Sequence, residues 1–170
     1  MIDVVGETTW WLSRSGACPT CDGLGVEQFF DPERVVLDPE LSLAGGAVRG
    51  WDRRNAYYYQ MIRSLGQHYG FDPETPWREL ADDIRDVVLK GSGFESIEFN
   101  YFNERGRVVK KQHPFEGIIP NMKRRYHENE SSTVREELAR YLSHQACPEC
   151  GGARLNQAAR HVTVAGRTLP

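Results

Sequence analysis

The 170-residue sequence has no apolar run approaching the roughly 20 residues a membrane-spanning helix needs, so no transmembrane helix is expected. No secretory leader is expected at its start, because Asp3 and Glu7 interrupt the first residues and no apolar segment follows them. A cytoplasmic location is therefore expected, where disulfides do not persist. There is no G-x-x-x-x-G-K-[ST] phosphate loop, no G-x-S-x-G elbow and no H-E-x-x-H zinc helix. His68, His113, His127, His144 and His161 do not pair at metal-ligand spacing, and Asp82–Asp83 and Glu136–Glu137 read as solvated helix surfaces. No catalytic residue emerges, and no enzyme activity is expected of this chain alone. A large net charge is missing as well. The net charge is −3, so the chain as a whole does not attract nucleic acid, and any such contact must come from a local patch. Repeats and low-complexity segments are missing. A hydrophobic content of 39% and a charged content of 26% are those of an ordinary folded chain.

Cysteine is rare but patterned. The only four are Cys18 and Cys21, in Cys-Pro-Thr-Cys, and Cys147 and Cys150, in Cys-Pro-Glu-Cys. Two intervening residues let both sulfurs of a pair face one ion. Proline stiffens the turn, and the glycines that follow (Gly23 and Gly25, Gly151 and Gly152) let backbone amides approach the thiolates. Four soft ligands of one kind fit one structural Zn2+ with no open position. Two disulfides, four free thiols or a redox C-x-x-C pair are the competing readings. The long stretch between the pairs is unusual for a compact zinc ribbon and implies a knuckle interrupted by an inserted domain. Four thiolates and one Zn2+ would make the chain two charge units more negative.

The coarse organisation is α+β: a mainly helical insert with a β-hairpin, mounted on a small Zn(Cys)4 base. Residues 1–15 read as an atypical tail, residues 16–35 and 146–170 as the knuckle base, and residues 40–145 as the insert. A strand is predicted over Val26–Phe30, followed by an irregular stretch to Asn55. Tyr58, Met61, Ile62, Leu65 and Tyr69 share one face of a helix over 55–69, stopped by Gly70. A second helix is predicted from Pro76 through Val88 on the stripe Trp77, Leu80, Ala81, Ile84, Val87 and Val88, with Gly91-Ser92-Gly93 as a flexible joint after it. Ile97, Phe99 and Tyr101 alternate with polar residues as a half-buried strand. Asn103–Gly106 turns it back into a partner strand over 107–113. A third helix is predicted over 116–126. A fourth, opened by a Thr133–Glu136 capping box, is predicted to run to the second knuckle with His144 on its surface. His161–Val164 reads as a strand and a turn.

One local feature stands above background. Arg105, Arg107, Lys110 and Lys111 lie on the hairpin and Lys123, Arg124 and Arg125 on the next helix. His113 and His127 accompany them, Tyr101, Phe102 and Tyr126 are interleaved, and acidic residues are sparse, chiefly Glu104 and Glu116. Such a patch suits the phosphate backbone of DNA, in a sequence-independent and salt-sensitive manner. Solvated surface lysines and arginines are the competing reading. Arg49, Arg53 and Arg54 with Trp51 form a smaller second group.

The runs GACPTCDGLG, DPELSLAGGAVRGWDRRN, HPFEGIIPNMKRRYHENESSTVREELARYLS and CPECGGARL closely resemble UvrA, the damage-sensing subunit of bacterial nucleotide excision repair, over about residues 16–170. The resemblance implies a fragment of an ABC-type ATPase that dimerises on DNA: the insertion, or DNA-binding, domain between two zinc knuckles of an ABC signature-domain region. It implies one structural Zn2+ on Cys18, Cys21, Cys147 and Cys150, and damaged double-stranded DNA as partner. ATP, a UvrB-like partner and the UvrA homodimer would engage parts of the parent that this stretch lacks. Trp10–Ser15 departs from the family's pattern upstream of the first knuckle.

Overall fold

A computed structural model describes residues 15–103, 105–164 and 166–168. The reading of residues 1–14 therefore lies outside the described residues. The chain divides into two compact units, one made of the chain up to Phe29 together with the chain from Ser143 onward, the other of Phe30–Leu142. Among the described residues no helix is long and apolar enough to cross a membrane.

The first unit is a mesh of short turns. β1 (Val26–Phe30) pairs with β4 (Leu142–Ala146). Ala17 bridges Leu155, and the Cys18 N–H donates to the Arg154 carbonyl at 2.9 Å. α6 (Gln157–Arg160) follows, capped by the Asn156 side chain, and β5 (Thr163–Val164) turns antiparallel onto β6 (Arg167–Thr168). The buried cluster here consists of the four cysteines with Ala153 against them. Among the described residues this unit has almost no aliphatic core.

The second unit has an extensive one. It opens with α1 (Pro32–Val35), whose first amides are capped by Asp31, then an irregular segment whose Leu43, Ala47 and Val48 are fully buried. α2 (Ala56–Tyr69) starts on the Asn55 side chain and stops at Gly70 in the left-handed region at φ 74°. The predicted face holds: Met61, Ile62 and Leu65 are buried, with Tyr58 and Tyr69 half-buried against the core. Ser64 is buried as well, because α2 packs across β2 (Ser96–Phe102), where the Ser64 hydroxyl accepts from the Asn100 N–H at 3.2 Å, and Gly66 is buried under Phe71 and Pro73.

The predicted second helix is broken in two. A single 3₁₀ turn at Trp77–Glu79 ends where Leu80 and Ala81 are extended, and α3 (Asp82–Lys90) starts afresh with Asp82 and Asp83 favourably placed in its first turn. The turn is held elsewhere: the N–H groups of Trp77 and Arg78 donate to the carbonyls of Leu41 and Pro39. These bonds and the burial of Trp77 and Leu80 override the helical stripe.

Gly91-Ser92-Gly93 is a braced crossing rather than a loose joint. The Ser92 N–H donates to the Phe115 carbonyl at 2.9 Å, and the Phe115 N–H returns to the Ser92 hydroxyl at 2.8 Å. The backbones of Gly91 and Gly117 pass so closely that a Cβ on Gly117 would sit 2.5 Å from the Gly91 nitrogen. At φ 93° Gly117 also needs a conformation that side chains disfavour.

β2 pairs antiparallel with β3 (Val108–Pro114), in register from Ser96↔Pro114 to Phe102↔Val108. Asn103 builds the turn: its carbonyl accepts from Gly106, and its side chain accepts from the N–H groups of Arg105 and Arg107. α4 (Ile118–Glu128) packs on α3 and on α5 (Ser132–Ala139). Ser131 occupies the N-cap of α5, and the predicted Thr133–Glu136 box forms no cap. The predicted fourth helix, α5, is shorter than expected. It ends at Ala139, and residues 142–146 leave as β4, so His144 lies on a strand, 3.1 Å from the Gln28 amide, and not on a helix surface. Pairing with β1 claims the backbone that the helix would have used.

Candidate metal centre and nucleic-acid interface

The two C-x-x-C turns bring all four cysteines together, each of them buried. Their backbones are near copies. The Leu24 N–H donates to the Cys21 carbonyl at 2.8 Å, as Ala153 does to Cys150 at 3.0 Å. Gly23 reaches back to the Cys18 carbonyl as Gly151 does to Cys147. The copies are laced together where the Cys147 N–H donates to the Gly25 carbonyl at 3.0 Å. A Cβ at Gly25 would meet the Gly152 carbonyl at 2.9 Å, so only glycine fits that crossing.

The four sulfurs lie within 4.8 Å of one another, with Cys18–Cys147 at 3.9 Å and Cys21–Cys150 at 3.8 Å. Disulfides would need sulfurs about 2.05 Å apart. A tetrahedral ion with Zn–S bonds of about 2.3 Å needs sulfurs about 3.8 Å apart, so the cluster is compatible with zinc. The amides supply a second shell: the Gly25 N–H donates to the Cys21 sulfur at 3.2 Å. Burial resists ionisation of the Cys150 thiol, yet the N–H groups of Arg154 and Gly152 and the thiols of Cys147 and Cys21 outweigh it and bring it down to about 7. The N–H groups of Cys150 and Glu149 favour the Cys147 thiolate, but burial and the neighbouring Cys150 and Cys21 sulfurs push that thiol up to about 11.

In the Phe30–Leu142 unit the basic patch is not uniform. Lys110 is paired with Glu98 at 2.8 Å. Arg124 is clamped by Glu116, Nε to Oε1 at 2.8 Å and Nη2 to Oε2 at 3.1 Å, and also reaches Glu128 at 3.5 Å. The Arg124 guanidinium and the Asn121 amide hold the Glu116 carboxyl below its usual range against burial, while the carboxylates raise Arg124 further still. Lys111 lies 5.8 Å from the Tyr101 ring centroid and Arg125 6.0 Å from that of Tyr58, both as cation–π contacts. Arg105, Arg107 and Lys123 carry no ion pair among the described residues. Glu104 lies outside the described residues.

His113 is a structural member of this surface. Its Nδ1 donates to the Pro114 carbonyl at 2.7 Å, which leaves Nε2 to accept from the Tyr101 hydroxyl at 2.7 Å. Its ring stacks on Phe99 at 4.5 Å. His127 meets Tyr126 edge-on.

The smaller arginine group is spent on internal pairs: Arg49 with Glu137, Arg53 with Glu74, and Arg54 with Asp52. Trp51 is only 2% exposed and belongs to the core, against Tyr58 and Phe115. The Arg54 fork, with two bonds to the Asp52 carboxylate, holds that buried acid below its usual range despite desolvation. Sequence reasoning missed Tyr57, which lies exposed beside the hairpin rings; the run Tyr57-Tyr58-Tyr59 was its signal.

Comparison with known proteins fits this geometry. The family described as the UvrA DNA-binding domain matches residues 31–140. The chain is 64% identical over 156 residues to UvrABC system protein A of Pseudomonas aeruginosa, covering 92% of this chain and 16% of that protein. It is 60% identical over 156 residues to the proteins of the same name from Salmonella typhimurium and Escherichia coli, covering 92% of this chain and 17% of each. The crystal structure of UvrA2 from Deinococcus radiodurans superposes with a TM-score of 0.70 at 26% identity, covering 94% of this chain and 20% of that one. The chain thus spans about a sixth of the length of its curated relatives. With a family match running from residue 31 to residue 140, the chain belongs to the UvrA DNA-binding domain family.

Proposed function

We propose that this chain is the DNA-contacting insert of a UvrA-like nucleotide excision repair protein, touching double-stranded DNA during damage recognition. The insertion domain corresponds to residues 40–145, held between the knuckle segments 16–35 and 146–170. The observation that carries the reading is the set of patch cations with neither an ion pair nor a ring contact among the described residues, Arg105 and Arg107 at the hairpin turn and Lys123 on α4. Lys110, Lys111, Arg124 and Arg125 complete the surface. Cations already neutralised internally release few counterions on binding, so the unpaired ones supply most of the salt-dependent affinity.

Cys18, Cys21, Cys147 and Cys150 would hold one structural Zn2+, which cross-links the knuckles and performs no chemistry on DNA. ATP hydrolysis, dimerisation and engagement of a UvrB-like partner belong to the longer, cytoplasmic parent.

A second reading, a protein-interaction module, draws support from one residue. Phe94 is fully exposed on a loop held by the Ser92 hydroxyl, which donates to the Glu95 carbonyl at 2.8 Å.

Fluorescence anisotropy of labelled damaged and undamaged duplex at two salt concentrations separates the two. Binding that weakens steeply with salt is expected. Absence of salt-dependent binding would leave the protein-interaction reading in its place.

A further inference from the structure

Five side chains from α2, α4 and the hairpin form a continuous run of cation, rings and cation. The Arg125 guanidinium lies 6.0 Å from the Tyr58 centroid, and Tyr58 meets Tyr57 edge-on at 5.3 Å. Tyr57 lies 5.7 Å from Tyr101 at a tilt of 31°, and the Lys111 ammonium lies 5.8 Å from Tyr101. Tyr57, Tyr101 and Lys111, with Phe102, line a cleft of about 570 Å³.

Core packing does not account for this run. Tyr57 is 58% exposed and Phe102 60% exposed. The Tyr101 ring beside Tyr57 is fixed, since its hydroxyl is tied to His113 and His113 is stacked on Phe99. Open, pre-positioned rings flanked by cations match the way unpaired nucleic acid is held. Every base has a π-face to lay on an aromatic ring, and the adjoining phosphates are met by lysine or arginine. A base inside an intact duplex has both faces covered by its neighbours.

Building on the DNA-contact reading above, we propose that the Tyr57–Tyr101–Phe102 cleft is a stacking site for an unpaired nucleobase, with Lys111 and Arg125 meeting phosphates on either side. The ligand is a base freed from the helical stack, in a single strand or displaced from a distorted duplex.

The test uses the full 170-residue chain and three labelled probes: an oligothymidine single strand, a perfectly paired duplex, and the same duplex with one bulged thymine. Tyr57→Ala is expected to weaken the single strand, the bulged duplex or both by about tenfold, leave the paired duplex within about twofold, and leave the salt slope unchanged, because a ring releases no counterions. Tyr57→Phe keeps the ring and keeps the affinity. Phe102→Ala repeats the test from the hairpin side, and an unchanged thermal midpoint shows that each variant is folded. A loss on the single strand alone assigns the site to single strands; a loss that includes the bulge assigns it to displaced bases as well. Equal losses on all three probes, or none with either Tyr57→Ala or Phe102→Ala, overturn the stacking site. Absence of salt-dependent binding to the paired duplex by the unsubstituted chain overturns the underlying DNA-contact reading instead.

Discussion

The two units of this chain solve the problem of stability by different means. Among its described residues the knuckle unit buries four cysteines and Ala159, with Ala153 partly buried, and little else apolar to hold its two distant segments together. The Phe30–Leu142 unit buries a continuous core that runs from Phe30 through Trp51, Phe99 and Phe115 to Tyr141. A small unit with so little core needs a staple, and a metal is the staple that four converging sulfurs offer. A unit with an aliphatic and aromatic core does not. The difference teaches that metal removal and core mutation should act on separate regions of one molecule.

The largest expected effect breaks the comparison from the metal side. Cys21→Ser removes one of the four thiols that would hold the proposed Zn2+, and a metal of this kind contributes about 10–16 kcal/mol in isolated zinc modules. Hydrogen exchange should show amides of the knuckle turns, such as Leu24 and Ala153, losing protection while those of α2 and β2 keep theirs. Collapse of protection in α2 as well would show that the insert depends on the metal.

The complementary break comes from the core. Trp51→Ala deletes a side chain packed against Tyr58 and Phe115 and should cost about 3–5 kcal/mol. Its signature is a lowered melting transition of the insert, with metal content by elemental analysis still at one ion per chain. Loss of metal in this variant would join the two units into one cooperative system.

A smaller effect sharpens the comparison through pH. Glu116, bonded first to Arg124 and then to Asn121, has a folded-state pKa below that of the unfolded chain. Its contribution is therefore fully present above the ordinary carboxylate range and is lost as pH falls through the depressed folded value. Glu116→Gln should flatten the acid side of the insert's thermal midpoint against pH and cost under about 1 kcal/mol near neutrality, as partly exposed pairs do. An unchanged acid limb would remove Glu116 as a source of that sensitivity.

Much of this arrangement was legible in the residues. The C-x-x-C spacing identified the cysteines that converge, because ligand geometry is local and demanding. The stripe from Tyr58 to Tyr69 located α2, and alternation at Ile97, Phe99 and Tyr101 located β2. What failed depended on partners far away in sequence. The Trp77–Val88 stripe has helical period, but hydrogen bonds to residues 39 and 41 split it. His144 sits in what reads as a helical tail, but β1 recruits it into a strand. The pairing of Lys110 with Glu98 and of Arg124 with Glu116 was likewise invisible, since a charge count does not show which cations are already satisfied.

That last distinction carries the functional account and is the most direct point at which to test it. The triple variant Arg105→Ala, Arg107→Ala, Lys123→Ala should be compared with the double variant Lys110→Ala, Arg124→Ala in anisotropy titrations of duplex DNA over a range of salt. The account predicts that the triple variant loses about one unit of salt slope per cation and at least about tenfold in low-salt affinity, while the double variant stays within about threefold of the unsubstituted chain. Equal losses per residue in the two variants, or a larger loss in the double variant, would contradict it.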